Sequence, residues 1–231
     1  MASDASPAMS RPRVTNRSTA LLAATVGFGA LYLAAAIALG SVPGAGAGGA
    51  AVAEWFRDHT EQTHLWVWFL TLAAPVFALF AVLVRERLPG PHRELFFFGA
   101  LAFVVETSVQ SWLWGAAAWH AGQLSPAAAR TLLDVASYWG PVLTSTTVMM
   151  LAPIVALALQ HHPVVPRWLG WIAGIAMAEQ TVETVTVFGR HGFIAPGGPM
   201  NAYLGAGLVA AALLALGLAL ARGEAAAPRT A

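Results

Sequence analysis

Polar and apolar residues alternate along this chain in long blocks, and the apolar blocks have the length of membrane-spanning helices. A helix needs about 20 apolar residues to cross the ~30 Å hydrocarbon core of a bilayer. The pattern predicts spans over residues 19–39, 64–84, 95–119, 130–159, 168–188 and 201–221. We therefore expect an all-α polytopic membrane protein, a six-transmembrane-helix bundle over residues 19–221, with no internal repeat.

The polar stretches predict what lies between and outside these spans. Residues 1–18 and 222–231 are expected to form tails, the first of them disordered. Residues 51–63 resemble an amphipathic helix lying at the membrane interface. The fourth helix is expected to run from 127 to 159, with a kink at Gly140-Pro141.

The first apolar run has a second interpretation, a secretory signal peptide. Three arginines precede it, and the Ala-Gly-Ala sequence at 45–47 resembles a cleavage site. Signal-peptide apolar regions are only ~7–15 residues long, so a retained helix is favoured.

Arginine distribution predicts the orientation of the bundle, because cytoplasmic loops are enriched in positive charge. With a cytoplasmic N-terminus, that side holds nine arginines: Arg11, Arg13, Arg17, Arg85, Arg87, Arg93, Arg167, Arg222 and Arg229. The other side holds Arg57, Arg130 and Arg190. This predicts a multi-pass protein of the inner (cytoplasmic) cell membrane with both termini in the cytoplasm.

Composition narrows the function classes. The chain is 58% hydrophobic and 10% charged, with a net charge of +1, which provides no basic surface for nucleic acid. It contains no Cys, which excludes disulfides, thiolate nucleophiles and Cys-based metal sites. No His pair has metal-ligand spacing within a span, and no nucleotide-binding fingerprint is present. We expect no cofactor and no metal, and the lipid bilayer as the main surroundings.

Carboxylates inside the predicted spans are the strongest candidates for chemistry. Four of the 11 acidic residues fall there: Glu106, Asp134, Glu179 and Glu183. An ionisable residue at bilayer depth is costly and is by default a functional-site hypothesis. Glu106 and Glu179 should each lie about 17 Å into their helices, near the midplane, at ~1.5 Å per residue. Glu183 and Asp134 should lie further outward, so all four are predicted to cluster.

The cluster suggests acid–base chemistry. Glu179 and Glu183 are four residues apart and share a helix face. No Arg or Lys is expected nearby, so the carboxylates should share protons, one serving as general acid and another as base. The alternative is helix packing, since interhelical hydrogen bonds contribute about 0.6–2 kcal/mol.

Polar and aromatic residues near these carboxylates are candidates for substrate binding: Gln110, Trp112, Trp114, Tyr138, Trp139 and Gln180. Aromatic faces stabilise cations, which would suit a carbocation or a cationic ligand. Trp and Tyr also form interfacial belts in membrane proteins of every kind, and amides often serve helix packing, so both alternatives stay open.

Several loop segments carry a resemblance to known proteins. They are the Arg-rich start before residue 19 and residues 53–59 (AEWFRDH), 166–171 (PRWLGW) and 193–199 (FIAPGGP). In these the chain resembles a broad group of six-helix bacterial integral membrane proteins, which implies a fold and a location but assigns no catalytic residue. In residue types alone it is also similar to membrane-embedded terpene cyclases, a resemblance that transfers no position.

Three functions follow as hypotheses. The first is a membrane enzyme that cyclises or isomerises a lipophilic, isoprenoid-type substrate using Glu106, Glu179 and Glu183, with Asp134 tuning the acid. The second is a proton-coupled transporter or cationic-ligand-binding protein. Six helices without repeats fit common transporter architectures weakly, and a homo-oligomer would compensate. The third is a structural membrane subunit.

Overall fold

The computed structural model describes residues 13–223, which are helical throughout and joined by short loops. The described part contains eight α-helices: α1 (Arg13–Leu39), α2 (Gly49–Asp58), α3 (Thr60–Arg85), α4 (Gly90–Trp119), α5 (Pro126–Ser137), α6 (Trp139–Ala158), α7 (Arg167–Glu183) and α8 (Ala206–Ala221). A 3₁₀ segment (Thr184–Phe188) follows α7, and a π-helical segment (Met200–Gly205) leads into α8. The predictions for residues 1–12 and 224–231 lie outside the described residues.

Five helical stretches in the described chain are long and apolar enough to cross a membrane. They are Arg17–Leu39, Thr60–Arg85, Gly90–Trp119, Pro126–Ala158 and Met200–Ala221. The predicted all-α class is confirmed, and the fold is compatible with a helical membrane protein. Helix α7 is shorter, at 17 residues, and it carries Glu179 and Glu183.

The six long helices form a closed ring. Helix α1 packs on α3, α3 on α4, α4 on α6, α6 on α7, α7 on α8, and α8 returns to α1. The ring encloses a core that includes Phe77, Phe80, Phe96, Met150 and Leu216, each no more than 1% exposed. Within a bilayer such a core is held by close packing and interhelical hydrogen bonds, because lipid tails are as apolar as the side chains themselves.

The two remaining helices, α2 and α5, pack on each other at one end of the ring. Residues 52, 53, 55 and 56 of α2 are buried, at the spacing of one helix face. In this layer Trp114 lies against Trp55, with ring centroids 5.9 Å apart, and against Trp66, at 5.5 Å. The amphipathic helix predicted around residues 51–63 therefore turns its apolar face to the protein.

The structure divides the predicted fourth helix into α5 and α6, which adjoin at Tyr138. Only α5 belongs to the layer with α2, whereas α6 lies in the ring between α4 and α7. The sequence predicts a kink two residues later, at Gly140-Pro141, but not the division into two helices, because residues 126–158 remain apolar across it.

Helices α4 and α6 approach closely at Gly99. A Cβ at this position would lie 2.7 Å from the carbonyl oxygen of Thr146 and 2.8 Å from Cβ of Met149. A residue without a side chain lets the two backbones meet. The α4–α6 contact brings Glu106 to the face of α6.

Candidate functional site

The most concentrated group of buried polar side chains lies at the end of α7. Gln180 and Glu183 are each only 3% exposed, and Glu179 is partly buried beside them. The four-residue spacing of the two glutamates places them on one face of the helix, and Gln180 lies next to both. We call Glu179, Gln180 and Glu183 the carboxyl–amide cluster.

One amide group joins the two carboxyl groups. Nε2 of Gln180 donates to Oε2 of Glu179 at 3.0 Å and to Oε2 of Glu183 at 2.5 Å. An amide nitrogen carries two hydrogens, which is enough for both bonds. The other oxygen of Glu179, Oε1, is buried and has no hydrogen-bond partner.

Side chains from two other elements complete the cluster. Thr147 of α6 donates its hydroxyl hydrogen to Oε1 of Gln180. Asn201, in the π-helical segment, donates from Nδ2 to Oε1 of Glu183. Both are 2% exposed. The cluster thus ties α6, α7 and the start of the last apolar stretch together.

Asn201 also connects the cluster to the loop over this end of the bundle. Its Oδ1 accepts the backbone N–H of Gly197 at 3.0 Å, and its Nδ2 lies 3.5 Å from Oγ1 of Thr186. One side chain therefore links Glu183 to the 3₁₀ segment and to the 189–199 loop.

Gly205 closes the cluster on the side of α8. A Cβ there would collide with Oε2 of Glu183 and lie 2.7 Å from Nε2 of Gln180 and 3.1 Å from Oε2 of Glu179. The backbone at 205 therefore packs directly on the three polar atoms. It ends a π-helical turn, a rare geometry that is frequent at functional sites.

Glu106 lies in a different contact, between α4 and α6. Its Oε2 accepts the hydroxyl hydrogen of Thr146 at 3.0 Å. Thr146 and Thr147 are consecutive on α6, so they point toward different neighbouring helices, the first toward α4 and the second toward α7. Glu106 and the carboxyl–amide cluster therefore contact α6 from two sides.

Asp134 is neutralised by an arginine. It forms an ion pair with Arg130, one turn earlier on α5. Arg130 also donates to the carbonyl oxygens of Gly44 and Ala47. The expectation that no basic residue would accompany the predicted carboxylates is wrong for Asp134. The cause is its four-residue spacing from Arg130, whose long side chain reaches back along the helix.

Of the six predicted substrate-binding residues, only Gln180 belongs to the cluster. Trp112 is 71% exposed on the outside of α4, and Trp114 is packed in the aromatic layer under α2. Tyr138 is 45% exposed where α5 meets α6, and Trp139 packs against the ring core. Gln110 donates to the carbonyl oxygen of Ala136 at 3.5 Å, between α4 and α5. The structure does not bring the aromatics together around the carboxylates, because successive helix positions point in different directions.

Thr147, Asn201 and Gly205 were not predicted from the sequence. Asn201 follows a Gly/Pro-rich loop, where it is easily taken for a helix-start residue. Thr147 stands in a Thr-rich part of an apolar helix, where Thr usually bonds to its own backbone. The available signal was their location in spans, because polar residues there tend to form interhelical hydrogen bonds.

Trp112 contributes to a groove on the outside of α3 and α4. The groove has a cavity volume of about 210 Å³ and is also lined by Thr71, Thr107, Ser108 and Ser111. Each of these four hydroxyls already donates to a carbonyl one turn earlier in its own helix. The groove is separate from the carboxyl–amide cluster.

Within the described residues, no group of three or more His, Asp or Glu side chains is arranged to hold a metal ion. Comparison with known proteins adds no relative, since no protein family, curated protein or solved structure matches the chain. The geometry of the carboxyl–amide cluster is therefore the basis for proposing a function.

Proposed function

We propose that this chain is a proton-translocating membrane protein, a proton-coupled transporter, and that the carboxyl–amide cluster binds the proton. The observation that carries the proposal is the Gln180 amide donating to both Glu179 and Glu183. Ionisable residues inside membrane domains are commonly proton relays.

The electrostatics of the cluster favour a shared proton. Two ionised carboxylates beside one amide repel each other strongly in low-dielectric surroundings. One bound proton removes that repulsion while keeping an acceptor for each amide hydrogen. One proton can therefore serve both carboxyl groups through the shared amide.

The close packing also favours a proton over a larger ligand. The backbone of Gly205 lies directly on the polar atoms of the cluster, so in this conformation a proton fits between them and a molecule does not. Proton release would restore the repulsion between Glu179 and Glu183 on either side of the Gln180 amide. Gln180 and Glu183 also bond to Thr147 and Asn201, so release would act on the contacts that hold α6 and the π-helical segment against α7.

We further propose that α7 with its 3₁₀ segment is a sixth crossing. Arg87, after α3, donates to the hydroxyl of Ser18 in α1 at 3.2 Å and to the carbonyl of Leu220 in α8 at 2.8 Å. These contacts place the start of α1 and the end of α8 at the same end of the bundle. A chain that returns to its starting side crosses an even number of times, so the five apolar stretches need one more. The excess of arginine at this end supports an inner-membrane protein with cytoplasmic termini.

Uptake of a cationic solute tests the transport proposal. Purified protein in liposomes is given an imposed pH gradient and radiolabelled choline as the probe. We expect wild-type uptake to follow the gradient and Glu179→Gln and Glu183→Gln to abolish it. Glu54→Gln, an identical replacement at an exposed position of α2, should transport as wild type. Uptake unchanged in both cluster variants would contradict the proposal and favour a structural subunit.

The second candidate is the membrane enzyme acting on a lipophilic, isoprenoid-type substrate. It is favoured by Oε1 of Glu179, a buried carboxyl oxygen without a partner, which a general acid or base requires. Membranes holding wild type or Glu179→Gln would be incubated with a panel of prenylated substrates. Turnover by wild type that is lost in Glu179→Gln supports the enzyme, and equal turnover in the two refutes this role for Glu179.

A further inference from the structure

Helix α6 carries two adjacent hydroxyls, one bonded to the carboxyl group of Glu106 and the other, on the opposite side, to the amide of Gln180. Thr146 donates to Oε2 of Glu106 on α4, and Thr147 donates to Oε1 of Gln180 on α7. Both threonines are buried, with 4% and 2% of their surfaces exposed. The two groups therefore contact the same turn of one helix.

Each hydroxyl has one hydrogen and a choice of acceptors. Oγ1 of Thr146 lies 3.0 Å from Oε2 of Glu106 and 2.8 Å from the carbonyl oxygen of Leu143. Oγ1 of Thr147 chooses between Gln180 and the carbonyl oxygen of Thr144, at 2.9 Å. A hydrogen bond to an ionised acceptor is about twice as strong as one to a neutral acceptor. The hydrogen of Thr146 should therefore point to Glu106 when that group is ionised and to Leu143 when it is protonated.

We propose that Glu106 is a second proton-binding site whose occupancy is coupled, through this turn of α6, to that of the carboxyl–amide cluster. Its role in transport rests on the proposed function. Protonation of Glu106 returns the Thr146 hydrogen to the α6 backbone and relaxes the α4–α6 contact. Protonation of the cluster acts on the α6–α7 contact one residue further on. The two sites thus bias the position of one helix.

Few other charges surround Glu106. Helices α6 and α8 contain no titratable residue. The titratable residues of α3 lie near its two ends, and on α5 Arg130 and Asp134 neutralise each other. Helix α1 presents the partly buried Tyr32, whose ring lies 6.2 Å from Phe103 of α4. Among these neighbours, Thr146 is the side chain that bonds to Glu106.

Infrared spectroscopy of the carboxylic acid C=O stretch tests the inference without a transport substrate. Wild type and variants in lipid nanodiscs would be titrated from alkaline to acidic buffer. We expect Glu106→Gln to remove one carboxylic acid band and Glu183→Gln to remove or alter another. Thr146→Val should keep the Glu106 band but displace its pH midpoint, because the hydroxyl that donates to the ionised form is lost, and Thr146→Ser should restore the midpoint. Glu54→Gln serves as the control for an exposed carboxylate.

Coupling is read from the pH midpoint of the Glu106 band. We expect Glu183→Gln and Thr147→Val to displace that midpoint, because each changes the contact that the carboxyl–amide cluster makes with α6 through Gln180. Any displacement of the midpoint in Glu183→Gln or Thr147→Val supports coupling. A spectrum of Glu106→Gln identical to wild type, or a midpoint unmoved in both α7-side variants, overturns the inference.

The two proposals fail in different ways. Coupled bands with choline uptake that is insensitive to the cluster would refute the proposed transport and keep the second proton site. Cluster-dependent uptake with no Glu106 band would do the reverse. Where Glu106→Gln does not yield folded protein, Glu106→Asp keeps the carboxyl group and should displace the pH midpoint of its band, since the shorter side chain draws back from Thr146.

Discussion

Gln180 is the residue on which the proposed site depends most directly. Its amide supplies hydrogen to two carboxyl groups, and its carbonyl oxygen accepts from Thr147. A carboxylate at 180 would add a third negative charge, and an apolar residue would leave both glutamates short of a donor. The residue is buried to within 3%, and a buried polar group without its partner costs about 1–3 kcal/mol.

Gly205 gives the first prediction at this scale. Gly205→Ala should destabilise the protein by about 1–3 kcal/mol, as expected when extra atoms are forced into a packed site. The new methyl group would collide with Glu183 and crowd Gln180. Thermal unfolding of purified protein in detergent measures the effect. Gly207→Ala is the matched control, because a Cβ there meets nothing within 4 Å, and it should be neutral or slightly stabilising. Equal stability of the two variants would contradict the described packing.

Asn201 gives the second prediction at the scale of single residues. Asn201→Ala removes the donor to Oε1 of Glu183 and the acceptor for Gly197. We expect a loss of about 1–3 kcal/mol, together with faster hydrogen exchange of the 189–199 loop amides. Tyr203→Ala, at a position 69% exposed, should change neither. Unaltered exchange at the Gly197 amide in Asn201→Ala would show that this residue does not hold the loop.

At the scale of elements, the bonds of Arg130 to the loop before α2 hold α5 in place more than its ion pair with Asp134 does. Arg130 bonds to Asp134 and to two carbonyls of the loop between α1 and α2. Asp134 is half exposed, with 49% of its side chain accessible, and exposed ion pairs contribute less than about 1 kcal/mol. Asp134 pairs with Arg130 outside the carboxyl–amide cluster, and its catalytic role stays a prediction.

We expect unequal effects from replacing Asp134 and from replacing Arg130, the two partners of this ion pair. Asp134→Asn should change stability by less than about 1 kcal/mol and leave choline uptake unchanged. Arg130→Gln should increase hydrogen exchange at residues 44–47, because it releases that loop as well. Comparing exchange rates in the two variants measures the difference. A larger effect from Asp134→Asn would reverse the assignment.

The sequence predicted the positions of the helices better than the contacts between them. Hydropathy and length suffice to find the five apolar stretches that are long enough to cross a membrane, because a bilayer would impose both. The pairing of Glu179 with Glu183 also followed, since four residues make one turn of any α-helix. The contacts of Thr147 and Asn201 could not be predicted, because they depend on which helices adjoin. The division of residues 126–158 at Tyr138 leaves no break in hydropathy, and the exposure of Trp112 depends on helix orientation.

At the scale of the whole molecule, the number of membrane crossings depends on α7, one of the six helices of the ring. If α7 crosses the membrane, the loops before and after it lie on opposite sides. The chain has no Cys, so single cysteines can be introduced without background. We expect cysteines at Gly46, Gly122 and His191 to react with an impermeant maleimide from one side, and those at Pro91 and His162 from the other. Labelling of His162 and His191 positions from the same side would exclude a crossing by α7.

The proposed transport requires protons to pass through the carboxyl–amide cluster, and the rate of proton entry into liposomes tests this most directly. Protein would be reconstituted with an entrapped pH-sensitive dye, an inward potential imposed with potassium and valinomycin, and choline supplied on one side. We expect proton entry with wild type and with Glu54→Gln. With Glu183→Gln, we expect entry only at the rate of protein-free liposomes. Proton entry through Glu183→Gln at the wild-type rate would contradict the proposed transport.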